Sequence, residues 1–498
     1  MLNVRLVLLV GGLLVVLLLV EEEVVDVADS DVELVQRMHS VIVSRSQMNQ
    51  VRERFVRGKQ RLLESGVSIP AGMREFQIPM DWPRKAVDVF ASRLQAAGYS
   101  NRVDSPVGKF LEDVFAENDF DLIESQVIRA AVQYGCAFVF SEPDVSLPSG
   151  MRLRAASPHE ATALYGPNGG LKAALRTVDE GTVDLYAPGF IQRFTLESLG
   201  GWVPSGPKRL TGSRRVLCAP YVHEWQIDRP FGASRITETV MAATYAATRT
   251  LLRQEVAAEF YSAPRSVLLG ADKSVFSEES AWSAVLGAVW GLPDVSWEDD
   301  QDMPDALRRA DLKQIPQMSM QPFSDQYRLL ASVVSGATSI PLHYLGVVQD
   351  SNPASAEAIE AHEIDMTNAV RGQQASLGRG RRALALDVVS CTERRFTVDE
   401  VRYLRPRWVD PRTRSLSEQS QFVALQVQAG NMQPGTEATL RQLPLSEEER
   451  VEIVRENRAA FDSQAVAALI AQEPPTEAVE NRAVVDGVEE IAGTAVFD

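Results

Sequence analysis

The chain has 498 residues, 45% hydrophobic and 23% charged, with a formal net charge of −17. Such a length buries a large core and predicts several domains or one elongated subunit of several parts. The acidic balance excludes a protein that grips nucleic acid by its phosphates, which needs a basic excess; a surface past which DNA slides without sticking is still allowed. Cys136, Cys218 and Cys391 stand far apart with no C-x-x-C between them. That predicts reduced thiols in an intracellular assembly and no structural zinc.

Residues 6–20 are an unbroken apolar and glycine run between Arg5 and Glu21-Glu22-Glu23. The run is shorter than the roughly 18 to 20 residues a spanning helix needs, and no small-x-small cleavage site follows it. Three readings stay open: an extension with no folded role, a buried or oligomer-contact segment, and a membrane anchor.

Residues 31–64 follow a helical pattern through Leu34, Met38, Ile42, Val51 and Phe55, with a break at Gly58. Trp82-Pro83 opens a second helix, because proline loses nothing in the first turn, and Gly98 ends it. A further helix covers 111–134, and residues 135–140 read as a buried strand. From 150 to 230 short alternating segments are divided by turns such as Gly166-Pro-Asn-Gly169 and Ala187-Pro-Gly189. They predict antiparallel sheet with hairpins.

Ile236, Val240, Ala243, Ala247 and Leu251 form one apolar stripe and predict an amphipathic helix. A compact module follows over 264–322, with a short apolar strand at 266–269, a helix around Trp282 to Trp290, and the acidic run Trp297-Glu-Asp-Asp-Gln-Asp302. Helical pattern resumes to about Ala337 and stops before Pro341, since proline excludes its predecessor from the helix. After a mixed loop, Asn352-Pro353 is a cap followed by a first-turn proline, and a long helix is predicted over 354–389. Helical segments continue to about 470, one of them opened by the capping box Ser446-x-x-Glu449. Residues 471–498 are acidic with few bulky apolar side chains, a composition that predicts disorder. The sum is an α+β chain, mainly helical.

Catalytic signatures fail one by one. Gly201-Trp-Val-Pro-Ser-Gly206-Pro-Lys208 comes closest to a phosphate-cradling loop, but Pro207 displaces the lysine and removes an N–H. His223-Glu224 and His362-Glu363 lack the second histidine of a zinc protease, and there is no G-x-S-x-G elbow. No catalytic residue, cofactor site or metal site is predicted. A metal-dependent nuclease built on scattered acids and a membrane-anchored oligomeric scaffold built on residues 6–20 are the alternatives.

Five landmarks, in this order, carry a resemblance: Trp82-Pro-Arg-x-x-Val-Asp88, Pro230-Phe-Gly-x-Ser-Arg-Ile236, Ile340-Pro-x-x-Tyr-Leu-Gly346, Asn352-Pro-Ala-Ser-Ala-Glu357 and Trp408-x-Asp-Pro-x-Thr-x-Ser415. With a helix, module, helix, loop and long helix between them, the chain resembles the portal proteins of tailed bacteriophages, siphophage type, over 34–465. The run at 6–20 has no counterpart in that pattern and leaves the start of the wing undefined.

The resemblance implies a wing over 31–233 and a first stem helix at 234–262. A small α/β clip at 263–322, a second stem helix at 323–339 and a tunnel loop at 340–353 follow. A long wing helix at 354–400 and a helical crown at 401–470 complete it. It further implies a homo-oligomeric ring, a 12-mer in the particle, at one capsid vertex of the virion, assembled in the host cytoplasm. Double-stranded DNA would pass through the ring in packaging and ejection. Terminase large subunit, major capsid or scaffolding protein and a head–tail adaptor would be its protein partners. Leu345, Gly346, Val347, Val348, Gln349, Asp350, Ser351 and Asn352 are the implied channel residues, with Asp350 and Gln349 the candidates for keeping phosphate off the wall and Val347 and Val348 offering a surface that does not grip. Glu298, Asp299, Asp300 and Asp302 are the candidate docking residues on the clip. Arg371, Arg379, Arg381 and Arg382 are expected on a solvated face or in intersubunit ion pairs.

Overall fold

A computed structural model describes residues 30–60, 78–102, 105–198, 200–261, 266–269, 311–314, 319–347, 356–392, 394, 396–412, 416–443 and 445–471. The run 6–20, the helix expected at 282–290, the acidic run after Trp297 and the tail beyond 471 lie outside these residues. The chain forms two compact units, Met1–Arg412 and Thr413–Asp498. Among the described residues, no helix is long and apolar enough to cross a membrane.

The first unit opens with α1 (Asp31–Val56). Its start is a capping box: Glu33 N donates to Ser30 Oγ at 3.2 Å while Ser30 N donates to the Glu33 carboxylate at 3.0 Å. Next come α2 (Trp82–Ala91), β1 (Ala96–Ser100), α3 (Val107–Glu117), α4 (Phe120–Tyr134), β2 (Cys136–Pro143) and β3 (Met151–Ala156). The expected buried strand is β2, which is enclosed along almost its whole length because β10 (Cys218–Val222) and β3 flank it in an antiparallel sheet.

Between β3 and β10 the turn-rich stretch folds as expected into an antiparallel meander. It comprises β4 (Ala161–Tyr165), β5 (Leu171–Asp179), β6 (Thr182–Ala187), β7 (Phe190–Leu196) and β8 (Trp202–Pro204), and β9 (Arg209–Leu210) pairs with β7. Val35, Met38 and Ile42 of α1 cover one face of this sheet against Leu175, Leu185 and Phe194. Asp184 is wholly buried in it, with Arg193 at 2.8 Å and Arg176 at 3.3 Å. A carboxylate so enclosed needs such partners to offset the loss of water.

The two predicted helices are α5 (Glu238–Tyr261) and α6 (Gln321–Thr338). They pack side by side through Ala243, Ala247, Ala331 and Val334, small side chains that let the helices approach closely. β11 (Ser266–Leu269) pairs antiparallel with β12 (Asp311–Gln314), and the two strands fall between these helices along the chain. α7 (Ala356–Cys391) is the long helix. It lies so close on β10 that a Cβ at Gly380 would sit 2.5 Å from Pro220 O.

One boundary moves. The crown was expected to begin at 401, yet α8 (Val398–Arg402) leads into β13 (Arg405–Trp408), which pairs antiparallel with β1. Backbone hydrogen bonds and the packing of Trp408 on the core tie this stretch to the first unit, and the division falls after Arg412. The second unit contains α9 (Leu416–Gln428), α10 (Glu437–Leu440) and α11 (Glu447–Ala471). The capping box read from the sequence opens α11: Glu449 N donates to Ser446 Oγ at 3.2 Å and Ser446 N to Glu449 Oε2 at 2.8 Å.

Candidate functional site

The loop that follows α6 begins at a root whose fastenings come from four of the five sequence landmarks. α6 ends when Ser339 takes a left-handed conformation, φ 54°, and turns the chain. Ile340 is then fully buried. Pro341 precedes a single 3-10 turn, Leu342–Leu345, which Gly346 closes at φ 79°, a backbone state that costs glycine little.

The first landmark reaches the root through Trp82, whose buried indole Nε1–H donates to Leu345 O at 3.0 Å. Its ring also lies 5.0 Å from Tyr327 on α6. Indole has one donor and no acceptor, so an inward-facing Trp82 needs a carbonyl at that point. The second landmark, Pro230-Phe-Gly-x-Ser-Arg-Ile236, has a role for nearly every residue. A Cβ at Gly232 would sit 1.9 Å from His223 O, so only glycine allows the approach. Ser234 Oγ donates to Gln133 O at 2.5 Å and accepts from Ile236 N at 3.0 Å. Arg235 crosses Phe90 with its guanidinium 3.7 Å from the ring centroid and donates to Thr338 O, the last carbonyl region of α6. Burial pushes the Arg235 pKa down to about 10, against the pull of Glu224.

The third landmark supplies Tyr344. Its hydroxyl donates to Glu363 Oε1 at 2.7 Å, and Arg93 Nη2 approaches the same carboxylate oxygen at 3.0 Å and the Tyr344 hydroxyl at 3.0 Å. Arg93 Nη1 donates to Pro411 O at 3.1 Å, which brings in the landmark around Trp408. The Arg93 and Glu363 side chains are 11% and 5% exposed, so water competes little for this cluster. Tyr344 lies before the loop and Glu363 after it. The cluster therefore staples the two ends of the segment between them.

Two expected channel residues do not face outward here. Leu345 and Val347 are buried at 3% and 7% exposure, packed with Met80, Trp82, Ala243, Ala247, Ala331 and Val334 of their own chain. Their role is to anchor the root, because apolar side chains beside a hydrophobic cluster gain more by burial than by facing water. Gly346 is exposed. Val348, Gln349, Asp350, Ser351 and Asn352 lie outside the described residues, as do Glu298, Asp299, Asp300 and Asp302. His343 is exposed and lies beside Tyr344, with ring centroids 4.3 Å apart.

A second buried charge pair joins α7 to α4. Arg381 is 3% exposed and binds Glu124 of α4, itself 4% exposed. Tyr221 donates to the other oxygen of Glu124 at 3.0 Å, and Tyr99 donates to Arg381 O at 3.1 Å. Burial raises the Glu124 pKa, opposed by Arg381 and by the Tyr221 hydrogen bond. Arg381 thus leaves the solvated face assigned to it with Arg371, Arg379 and Arg382. Arg371 does meet solvent and pairs with Asp410 at 3.2 Å. Among the described residues, no group of three His, Cys, Asp or Glu side chains is placed to hold a metal ion.

Sequence reasoning missed Arg93 and set Glu363 aside with His362 as an incomplete zinc motif. Neither residue carries a local signal, because they stand 270 positions apart.

A family model described as "Phage portal protein, SPP1 Gp6-like" matches residues 45–462. The portal protein of Mycobacterium phage D29 is 23% identical over 373 residues, covering 72% of this chain and 73% of the relative. That of Mycobacterium phage L5 is 24% identical over 331 residues, covering 63% of this chain and 65% of the relative. Among solved structures, a chain from the neck of a native gene transfer agent particle computed with C12 symmetry is similar at a TM-score of 0.45. It has 14% identity and covers 77% of this chain and 98% of that one. A chain from the virion of the native gene transfer agent particle has a TM-score of 0.42 and 16% identity, over 78% of this chain and 100% of the other. With the family match running across nearly the whole described chain, the protein belongs to the phage portal protein family.

Proposed function

We propose that this chain is the ring-forming subunit of a portal vertex, a dodecamer through which double-stranded DNA enters and leaves a capsid. In this reading α5 and α6 are the stem helices and the insertion at 263–322 is the clip. α1 to β10 together with α7 form the wing, and the unit after Arg412 is the crown. The loop after Gly346 is directed to the channel, with Val348, Gln349, Asp350, Ser351 and Asn352 as its DNA-facing residues. Glu298, Asp299, Asp300 and Asp302 on the clip are the docking residues for terminase or a head–tail adaptor. The virion is the site of action, and assembly precedes it in the host cytoplasm.

The observation that carries the reading is the stapled root. Trp82, Arg93, Arg235 and Glu363 hold the chain on either side of a short segment while Leu345 and Val347 pack inward. A loop fastened at both ends can present a few side chains at a fixed height in every copy of a ring, which a channel constriction requires. The excess of acid over base suits a wall past which phosphate moves without adhering.

The test is the native mass of the full chain with top-view class averages from electron microscopy. A closed ring of about a dozen copies with a central hole is the expected result. A chain that stays monomeric with or without scaffolding and capsid proteins overturns the reading.

A further inference from the structure

Several arginines of the first unit are paired with a buried carboxylate. Arg93 meets Glu363, Arg176 and Arg193 meet Asp184, Arg215 meets Asp387 and Arg381 meets Glu124. Arg379, Arg382 and Arg405 do not. They line a cleft of about 390 Å³ between α7 and β13, with Gln374, Gly378, Pro406 and Trp408. Arg382 donates to Leu404 O and Arg402 O, and Arg405 donates to the same two carbonyls. Arg379 lies 5.2 Å from the Trp225 ring. Among the described residues none of the three has a carboxylate within ion-pair distance. Burial and then the charges of Arg405 and Arg215 lower the Arg382 pKa, as an uncompensated cationic cleft should.

The complementary surface is on the other strand of the ribbon. β13 pairs with β1, α7 packs on β13 and α3 packs on β1. The exposed edge of α3 and the start of α4 carries Glu112, Asp113, Glu117, Asp119 and Asp121. Glu117 accepts from Ser149 N at 2.9 Å. Among the described residues none of the five meets an arginine or lysine. Leu122 beside them is 69% exposed and offers an apolar contact. One strand of a two-stranded ribbon thus carries an unpaired cationic cleft, and the other carries an unpaired anionic edge. Surfaces of that kind join copies head to tail, the contact that closes a ring.

We infer that the cleft of Arg379, Arg382 and Arg405 receives the acidic α3–α4 edge of a second copy of this chain. The inference rests on the ring reading and adds the contact that orders neighbouring wings. Opposite charges at such a contact steer assembly and fix register, and like charges there are strongly unfavourable.

The test uses the full chain and three variants: Arg379→Glu with Arg405→Glu, Asp113→Arg with Asp121→Arg, and the four substitutions together. Ring yield is read by native mass, and folding by far-ultraviolet circular dichroism and melting. Each double variant is expected to remain folded and to lose rings by about tenfold, with the fourfold variant restoring them. Wild-type rings are expected to loosen as salt rises. Folded double variants that form rings as well as the wild type overturn the contact while leaving the ring reading intact, and so does a folded fourfold variant without recovery. Retention of duplex DNA that is lost with Arg379→Glu and Arg405→Glu while rings persist assigns the cleft to phosphate and overturns it too. A wild-type chain that never forms rings removes the ring reading and this contact together.

Discussion

Tyr344 and Glu363 are joined by a 2.7 Å hydrogen bond across nineteen positions of sequence, and the segment between them is the proposed channel loop. Arg93 adds an ion pair to Glu363 at 3.0 Å in a nearly closed site. Arg93→Ala takes the guanidinium away from a buried carboxylate, for which a loss of about 3 kcal/mol is expected. Tyr344→Phe removes one hydrogen bond and should cost about 1 kcal/mol. Urea unfolding of the two variants checks the order, and limited proteolysis should show faster cutting between 346 and 355 in Arg93→Ala. Equal stabilities and unchanged cleavage would show that the staple does not hold the loop.

The landmarks were legible because each carries a local constraint: a proline at a helix start, a glycine where backbone approaches backbone, or a tryptophan that needs one carbonyl. The meander between β3 and β10 was legible from its turns. Arg381 was misplaced although its position was readable. Leu377, Arg381, Leu384 and Val388 fall at helical spacing and all are buried, so Arg381 sits on the inner stripe of α7 and not beside Arg379 and Arg382. Leu345 and Val347 were misread for a different reason. A loop position says nothing of which way alternate side chains turn until the Trp82 anchor is known. The pairing of β1 with β13 joins residues more than three hundred positions apart and left no trace in either segment.

The Arg381–Glu124 pair predicts strong non-additivity. Glu124→Leu alone leaves a guanidinium buried beside Tyr99 and Phe115, and Arg381→Met alone leaves a buried carboxylate. Each is expected to destabilise by about 3 to 5 kcal/mol. The double variant should recover much of that loss, because two apolar side chains of similar size need no partner. A double-mutant cycle by chemical denaturation reads the coupling, and additive losses would mean that the two charges are separately solvated.

His223 predicts an acid limb in stability. Its Nδ1–H donates to Ala233 O at 2.7 Å, while Nε2 is buried and has no partner among the described residues. Burial lowers its pKa to about 4, helped by Arg235 and opposed by the Ala233 hydrogen bond. The unfolded chain therefore binds this proton more readily than the folded one, and stability present above about pH 6.5 is lost as pH falls toward 4. Between pH 7 and pH 5 the unfolding free energy should fall by about 2 kcal/mol on account of this residue. His223→Asn should flatten that slope in matched denaturation curves at the two pH values. An unchanged slope would assign the acid limb to other groups.

Two glycines on α7 predict effects of opposite sign from the same substitution. At Gly372 an added Cβ meets nothing within 4 Å, and the backbone is ordinary helix. Alanine there restricts the unfolded chain and favours the helix, so Gly372→Ala should stabilise by about 0.5 to 1 kcal/mol. At Gly380 the new methyl would lie 2.5 Å from Pro220 O and 3.0 Å from the Tyr221 Cα, both backbone atoms of β10 that cannot swing aside. α7 would have to lift from the sheet, drawing Arg381 away from Glu124 and Tyr99 away from Arg381 O. A loss of about 3 kcal/mol is expected for Gly380→Ala, at the upper end of overpacking costs because the obstruction is main chain. Thermal melts of the two variants beside the wild type decide it. A stabilising Gly380→Ala would mean that the helix does not ride on β10 at this point, and the buried pair next to it would then lose its reason for being placed there.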